Sequence, residues 1–321
     1  MHFRSYADLA RLLVETSDRI RGSFDLVVGI PRSGMVPASM IALMHNKPVA
    51  ELDGFLEGHV MGRGQTRALE GWSPDSGDYK RILVVDDSLN TGGSIQRARG
   101  RIAEAAPEVE ARFLVAYAYE RSLDHVDVAL EACPKPRIFE WNLLHAWLPT
   151  RACFDIDGVL CRDPSAEEND DGERYRAYLE SVPPLAVPTQ RIRRIVTSRL
   201  EKYRPETEAW LAAHGIEYEH LHMLDLPSAR ERRRLGGHSG FKAAVYASDP
   251  DSVLFVESDP AQAAVIARES GKPVLDYRNR MLAGPDPLSL AYQSQLAITI
   301  SRRLRSGLAR RIRRLLAGAP G

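Results

Sequence analysis

Cysteine is scarce in this chain, with Cys133, Cys153 and Cys161 the only three among 321 residues. They are odd in number and lack metal-ligand spacing, which excludes a disulfide framework and points to a reduced compartment. Long apolar runs are missing too: no stretch approaches the roughly 18 residues of a spanning helix. The opening MHFRSYADLARLL is broken by charges, so it reads as an amphipathic helix and not as a secretory signal. Net charge is absent, since 43 basic residues balance 43 acidic ones. That balance hides an asymmetry. The segment ISRRLRSGLARRIRRLLAGAPG carries seven arginines and no acid, leaving 36 basic against 43 acidic residues, a formal −7, elsewhere. What is plentiful is apolar residues, at 44%, enough to bury the cores of the roughly two domains that the length suggests. The chain reads as soluble and cytoplasmic.

Short apolar runs alternate with helix-like segments. Candidate strands are LVVGI (26–30), ILVV (82–85), FLVAYAY (113–119), RIF (137–139), ACFDI (152–156), RIVT (194–197), VLFV (253–256) and PVLD (273–276). Several lack polar alternation, as parallel strands covered on both faces do. Helices are expected over 33–45, 93–106, 205–214 and 260–270. This pattern argues an α/β architecture twice over, in two doubly wound domains. The expected division is 1–149, 150–290 and a basic amphipathic tail over 291–321. Ligands of such sheets sit beyond the carboxyl ends of strands, and two acidic clusters fall there.

The first cluster is RILVVDDSLNTGGS, Arg81 to Ser94. Asp86 and Asp87 leave the apolar run, and Ser88, Asn90, Thr91, Gly92, Gly93 and Ser94 turn toward a helix. Glycines let a backbone approach a ligand, and free N–H groups at a helix start attract an anion. An acid pair beside such a cradle suits a sugar phosphate. The run resembles the 5-phosphoribosyl-1-pyrophosphate (PRPP) motif of type I phosphoribosyltransferases, a likeness covering about residues 20–145. VVGIPRSGMVPA resembles that family's pyrophosphate loop, which implies that Arg32, Ser33 and Gly34 meet the diphosphate. EGHVMGRGQTRALEGWSPDSGDYK occupies the place of the mobile catalytic loop, where Arg63 and Arg67 serve either pyrophosphate or solvent. The resemblance implies displacement of pyrophosphate at C1 of the ribose, with Mg²⁺ on the diphosphate. It does not supply the acceptor. Trp141, in RIFEWNLLHAW, could stack on an acceptor ring or serve plain packing.

The second cluster, CFDIDGVL, puts Asp155 and Asp157 two apart at a strand end, on one face. One carboxylate can attack phosphorus while the other handles the leaving oxygen's proton. The run from 152 to about 280 resembles the haloacid dehalogenase (HAD) superfamily of phosphatases. That resemblance implies a HAD-like Rossmannoid fold with Asp155 as nucleophile and Asp157 as general acid/base. It also implies Thr197 of RIVTSR on a phosphoryl oxygen, Lys242 of HSGFKAAV neutralising the phosphate, and Mg²⁺ on Asp155, Asp157 and Glu257. Asp259 of VLFVESDP is a supplement to Glu257. His220 and His222 alternate as in a strand and read as structural. The insertion between Asp157 and Thr197 is under forty residues, which suggests a small or absent cap.

The two activities make sense in order. Transfer from PRPP leaves a ribofuranoside with a 5-phosphate, which a phosphatase removes. The pairing resembles the bacterial enzymes that build ribofuranose into surface polysaccharides, so the expected acceptor is a glycan hydroxyl, carried on a lipid or free. The tail reads as a helix on an anionic membrane surface, at the inner face, or equally as a basic end packed or disordered. Nucleic-acid binding ranks lower because the rest of the chain is acidic. Rival readings are a nucleobase phosphoribosyltransferase fused to a nucleotidase, and a PRPP-sensing regulator.

Overall fold

The computed structural model describes residues 1–284 except 23, 65–68, 70 and 236–237, with the side chains of 120–122, 233 and 235 also left out. The basic tail and Arg67 lie outside the described residues. The chain divides between Trp141 and Asn142, against the expected border at 149/150.

The first unit runs β1 (His2–Arg4), α1 (Tyr6–Glu15), α2 (Ser17–Ile20), β2 (Leu26–Gly29), α3 (Met35–His45), β3 (Val49–Glu51), α4 (Leu52–Leu56), β4 (Arg81–Leu89), α5 (Gly93–Ala105), β5 (Glu110–Ala118), β6 (Val128–Ala132) and β7 (Arg137–Phe139). Local chemistry starts α1. The Ser5 hydroxyl accepts from Asp8 N at 3.1 Å while the Asp8 carboxylate accepts from Ser5 N at 2.9 Å, a reciprocal cap. Leu9 and Leu13 face inward. The main sheet has order β3-β2-β4-β5-β6, all neighbours parallel. Both its faces are covered: Val27, Leu83, Val85 and Leu114 join one apolar cluster, and Leu26, Val28, Ile82, Val84 and Val115 the other. β1 and β7 form a separate parallel pair.

β4 does not stop at Val85 as expected. Its ladder with β5 continues through Asp86↔Val115, Ser88↔Tyr117 and Leu89↔Ala118, so the acid pair sits on a strand whose backbone is held by its neighbour. Acidic residues ended the sequence's apolar pattern without ending the pairing.

The second unit runs β8 (Ala152–Phe154), α6 (Glu173–Ser181), β9 (Ile192–Leu200), α7 (Arg204–Ala213), β10 (Tyr218–Leu224), α8 (Ala229–Leu235), α9 (His238–Ala247), β11 (Leu254–Glu257), α10 (Pro260–Ser270), β12 (Val274–Asp276) and β13 (Met281–Ala283). Its sheet has order β10-β9-β8-β11-β12-β13, parallel except for β13 against β12. The chain is thus α/β with a parallel sheet in each unit. Between Asp157 and β9 the stretch carries α6, which buries Tyr175, Tyr178 and Leu179. No helix among the described residues is long and apolar enough to cross a membrane.

Candidate functional site

In the first unit β2 and β4 are neighbours, with Gly29 opposite Val85, so the loops after them emerge at one sheet edge. The loop after β2 carries Arg32, exposed, and Ser33; its Pro31–Arg32 peptide is cis. Ser33 Oγ donates to Asp87 Oδ1 at 3.0 Å, and Trp141 Nε1 donates to Asp87 Oδ2 at 2.5 Å. Asp86 accepts from Asp87 N at 2.9 Å and from Ser94 Oγ at 3.0 Å. Two serines, one from each loop, therefore hold the acid pair between them.

Gly34 permits this approach. A Cβ there would lie 2.5 Å from Ile30 O, 2.8 Å from Val85 O and 3.0 Å from Asp86 Cα, all backbone that has no room to give. Gly92 is required twice over: its φ is +83°, and a Cβ would meet the His125 ring at 2.8 Å. It caps α5 without a side-chain acceptor, and Asn90 and Thr91 just before it are exposed; a helix start of this kind attracts an anion. Ser88 is half-buried and Gly93 begins the helix. Burial, then the neighbouring charge of Asp87, pushes Asp86 up to about 7.

Arg63 lies over the Trp72 ring, 5.7 Å from its centroid. Trp141 stacks on Phe139 at 5.1 Å and 13°, with Tyr6 5.4 Å away. Of its two expected roles the structure supplies packing, and adds a third: its indole N–H fixes Asp87.

In the second unit a cavity of about 370 Å³ opens at the carboxyl ends of β8 and β11, lined by Asp155, Asp157, Lys242, Glu257 and Asp259 among others. Lys242, on α9, is 1% exposed, and its Nζ donates to Asp155 Oδ2 at 2.7 Å, Glu257 Oε2 at 2.6 Å and Gln262 Oε1 at 3.2 Å. Burial pushes Asp155 up to about 7 against the pull of Lys242. Asp259 caps α10, accepting from Ala261 N and Gln262 N at 2.9 Å.

Asp157 is turned to other partners. Arg199, whose side chain is fully buried, forks onto it at 2.7 and 3.2 Å, with Tyr178 Oη at 3.1 Å and Cys161 Sγ at 3.4 Å. Burial opposes its charge, but the guanidinium prevails and holds the carboxyl below its ordinary value. A group held ionised suits a base better than an acid. The expected Mg²⁺ triad of Asp155, Asp157 and Glu257 does not fit a metal nest in this arrangement. Asp157 faces Arg199, the Lys242 ammonium already joins the other two, and no three His, Cys, Asp or Glu among the described residues could hold a metal ion.

Thr197 was expected at a strand end, but β9 runs on to Leu200 because Leu200 pairs with Leu224. Thr197 is fully buried, and its Oγ1 accepts from Arg199 N at 3.3 Å. The residue that lines the cavity from β9 is Ser198. His222 and Arg194 lie side by side at 2.7 Å, in keeping with a structural role. Sequence reading missed Arg199, Tyr178, Ser198 and Arg232. Arg199 had one available signal, an arginine inside the apolar run RIVTSRL, since a buried arginine requires a carboxylate.

Residues 2–144 match the family model described as "Phosphoribosyl transferase domain". Among curated proteins, the chain is 33% identical over 108 residues to an orotate phosphoribosyltransferase of Sulfolobus acidocaldarius, covering 33% of this chain and 51% of that one. For the orotate phosphoribosyltransferase of Pyrococcus furiosus the identity is 32% over 140 residues, covering 43% and 69%. The chain spans about half the length of the first curated relatives it matches. A solved Helicobacter pylori xanthine-guanine-hypoxanthine phosphoribosyltransferase overlaps 44% of this chain and 92% of its own at 18% identity, with a TM-score of 0.32, too low to carry weight.

Proposed function

The chain belongs, through its first unit, to the phosphoribosyltransferase family, and from that premise we propose a two-step enzyme. The first unit transfers 5-phosphoribosyl from PRPP to a glycan hydroxyl, and the second removes the 5-phosphate to leave ribofuranose. The observation that carries the first step is the Ser33–Asp87 bond at 3.0 Å, which ties the diphosphate-side loop to the acid pair. Asp86 and Asp87 accept from the ribose hydroxyls, the turn Asn90–Ser94 holds the 5-phosphate, and Arg32 with the Ser33–Gly34 turn holds the diphosphate. The acceptor oxygen bonds to C1 as the C1–O bond to diphosphate breaks; pyrophosphate leaves with the electron pair and the acceptor's hydroxyl proton passes to water. Mg²⁺, if bound with the donor, would neutralise charge on the diphosphate. Charge complementarity to the departing diphosphate is the main catalytic contribution.

In the second step a carboxylate oxygen of Asp155 bonds to phosphorus as the phosphorus–ester oxygen bond breaks, and the leaving oxygen takes a proton from water. Water then cleaves the aspartyl phosphate, with the ionised Asp157 suited to accept that water's proton. A HAD-type role for the second unit is supported by the meeting of Asp155 and Lys242 across 87 residues of sequence.

A nucleobase acceptor is the second reading, favoured by the orotate phosphoribosyltransferases among the relatives. Pyrophosphate release from PRPP, measured with a panel of glycans and a panel of nucleobases, separates them. Release with glycans supports the first reading; release with nucleobases alone overturns it, and release with neither overturns transfer itself.

A further inference from the structure

Lys242 was the cation expected to neutralise phosphate in the second cavity, yet an ammonium has three N–H donors. Asp155, Glu257 and Gln262 take all three. The other charges around the cavity are matched in the same way. Arg278 donates to Asp163 at 2.9 Å, Asp157 is held by Arg199, and Asp259 caps α10. The His238 imidazole is held toward its neutral form by burial, then by Arg232 and Lys242 nearby.

Arg232 is the exception. This guanidinium on α8 lines the cavity with no carboxylate partner among the described residues. Nη1 donates to Ser198 O at 2.9 Å and Nη2 reaches Asn169 Oδ1 at 3.5 Å, while Nε is buried with no partner. Ser198, joined to it through that backbone bond, lines the same cavity, and its Oγ is also buried with no partner. An uncompensated cation and two orphaned donors at one wall are costly unless an anion completes them.

We propose that Arg232, with the Ser198 hydroxyl, meets the phosphoryl oxygens of the second unit's substrate, and that Lys242 instead fixes Asp155 and Glu257. The ligand class is a phosphate monoester whose non-bridging oxygens accept from the guanidinium and, once the hydroxyl turns to the cavity, from Ser198. This rests on reading the cavity as a phosphoryl site.

The test is steady-state hydrolysis of p-nitrophenyl phosphate by the full chain, with inorganic phosphate as competitive inhibitor. Asp155→Asn assigns the turnover to this cavity. Arg232→Gln should raise KM and the phosphate Ki by about tenfold or more, as loss of a charge-assisted pair does. Arg232→Lys should recover part of both, and Ser198→Ala, a smaller change to the fold, should raise Ki severalfold. Unchanged KM and Ki in Arg232→Gln and Ser198→Ala, with turnover still lost in Asp155→Asn, overturn the inference alone. No hydrolysis by the wild type, or hydrolysis that survives Asp155→Asn, overturns the phosphoryl reading beneath it.

Discussion

Asp86→Asn should stabilise the protein while damaging its chemistry. Asp86 is 6% exposed and sits beside a second carboxylate, and burial with that neighbour moves it from 3.8 to about 7. Below 3.8 both folded and unfolded chains hold the proton. Between 3.8 and 7 the folded chain keeps a proton the unfolded chain has lost, so stability falls as pH rises through that window and levels off above it. The difference corresponds to a penalty of about 4 kcal/mol at pH 8, of which about 1–2 kcal/mol is already present at pH 5. An amide carries no such penalty and keeps an oxygen for Asp87 N. The variant's advantage over wild type should therefore grow by about 2–3 kcal/mol from pH 5 to pH 8, or roughly 5–10 °C in melting temperature. Scanning calorimetry of the full chain at the two pH values measures this, and pyrophosphate release from PRPP should fall in parallel. A variant equally destabilised at both pH values would refute the reasoning, because it would mean Asp86 is charged and satisfied in the fold.

Gly34→Ala should weaken PRPP binding and cost about 1–3 kcal/mol, since its Cβ meets only backbone; isothermal titration and thermal melting report the two effects. Arg199→Leu leaves the half-buried Asp157 without its fully buried guanidinium partner and should cost about 3 kcal/mol in urea unfolding. A loss within about 1 kcal/mol, the range of exposed pairs, would contradict a buried ion pair. Phosphate-monoester hydrolysis should rise with pH through about 7, because burial raises Asp155 and the attacking oxygen must be unprotonated; a flat profile across that value would remove Asp155 as nucleophile.

What the sequence made legible was local. α10 has the expected bounds because Asp259 and Pro260 mark its start and Gly271, at φ +69°, its end. The strands β2, β4, β5 and β11 follow from unbroken apolar runs. Long-range pairing was not legible. β4 and β9 each outrun their apolar stretches because neighbouring strands continue the ladder past Asp86 and Thr197. In the first site the acid pair and the Arg32–Gly34 loop were visible as motifs, whereas the indole bond from Trp141 to Asp87 spans 54 positions and has no local signature. In the second, the expected set was Asp155, Asp157, Thr197, Lys242 and Glu257; the fold joins Asp155 and Glu257 through Lys242, while Asp157 bonds Arg199 and Thr197 is buried. Arg199 and Arg232 depend on which carboxylates are already taken, a property of the assembled cavity.

The two-step proposal joins the addition of phosphoribose to the removal of its phosphate on one chain. Mass analysis of the acceptor after incubation with PRPP, using wild type and Asp155→Asn side by side, tests it most directly. An acceptor enlarged by a pentose without phosphate is expected from the wild type, and one enlarged by a phosphopentose from the variant. Identical dephosphorylated product from both, or an acceptor left unchanged by the wild type, would contradict it.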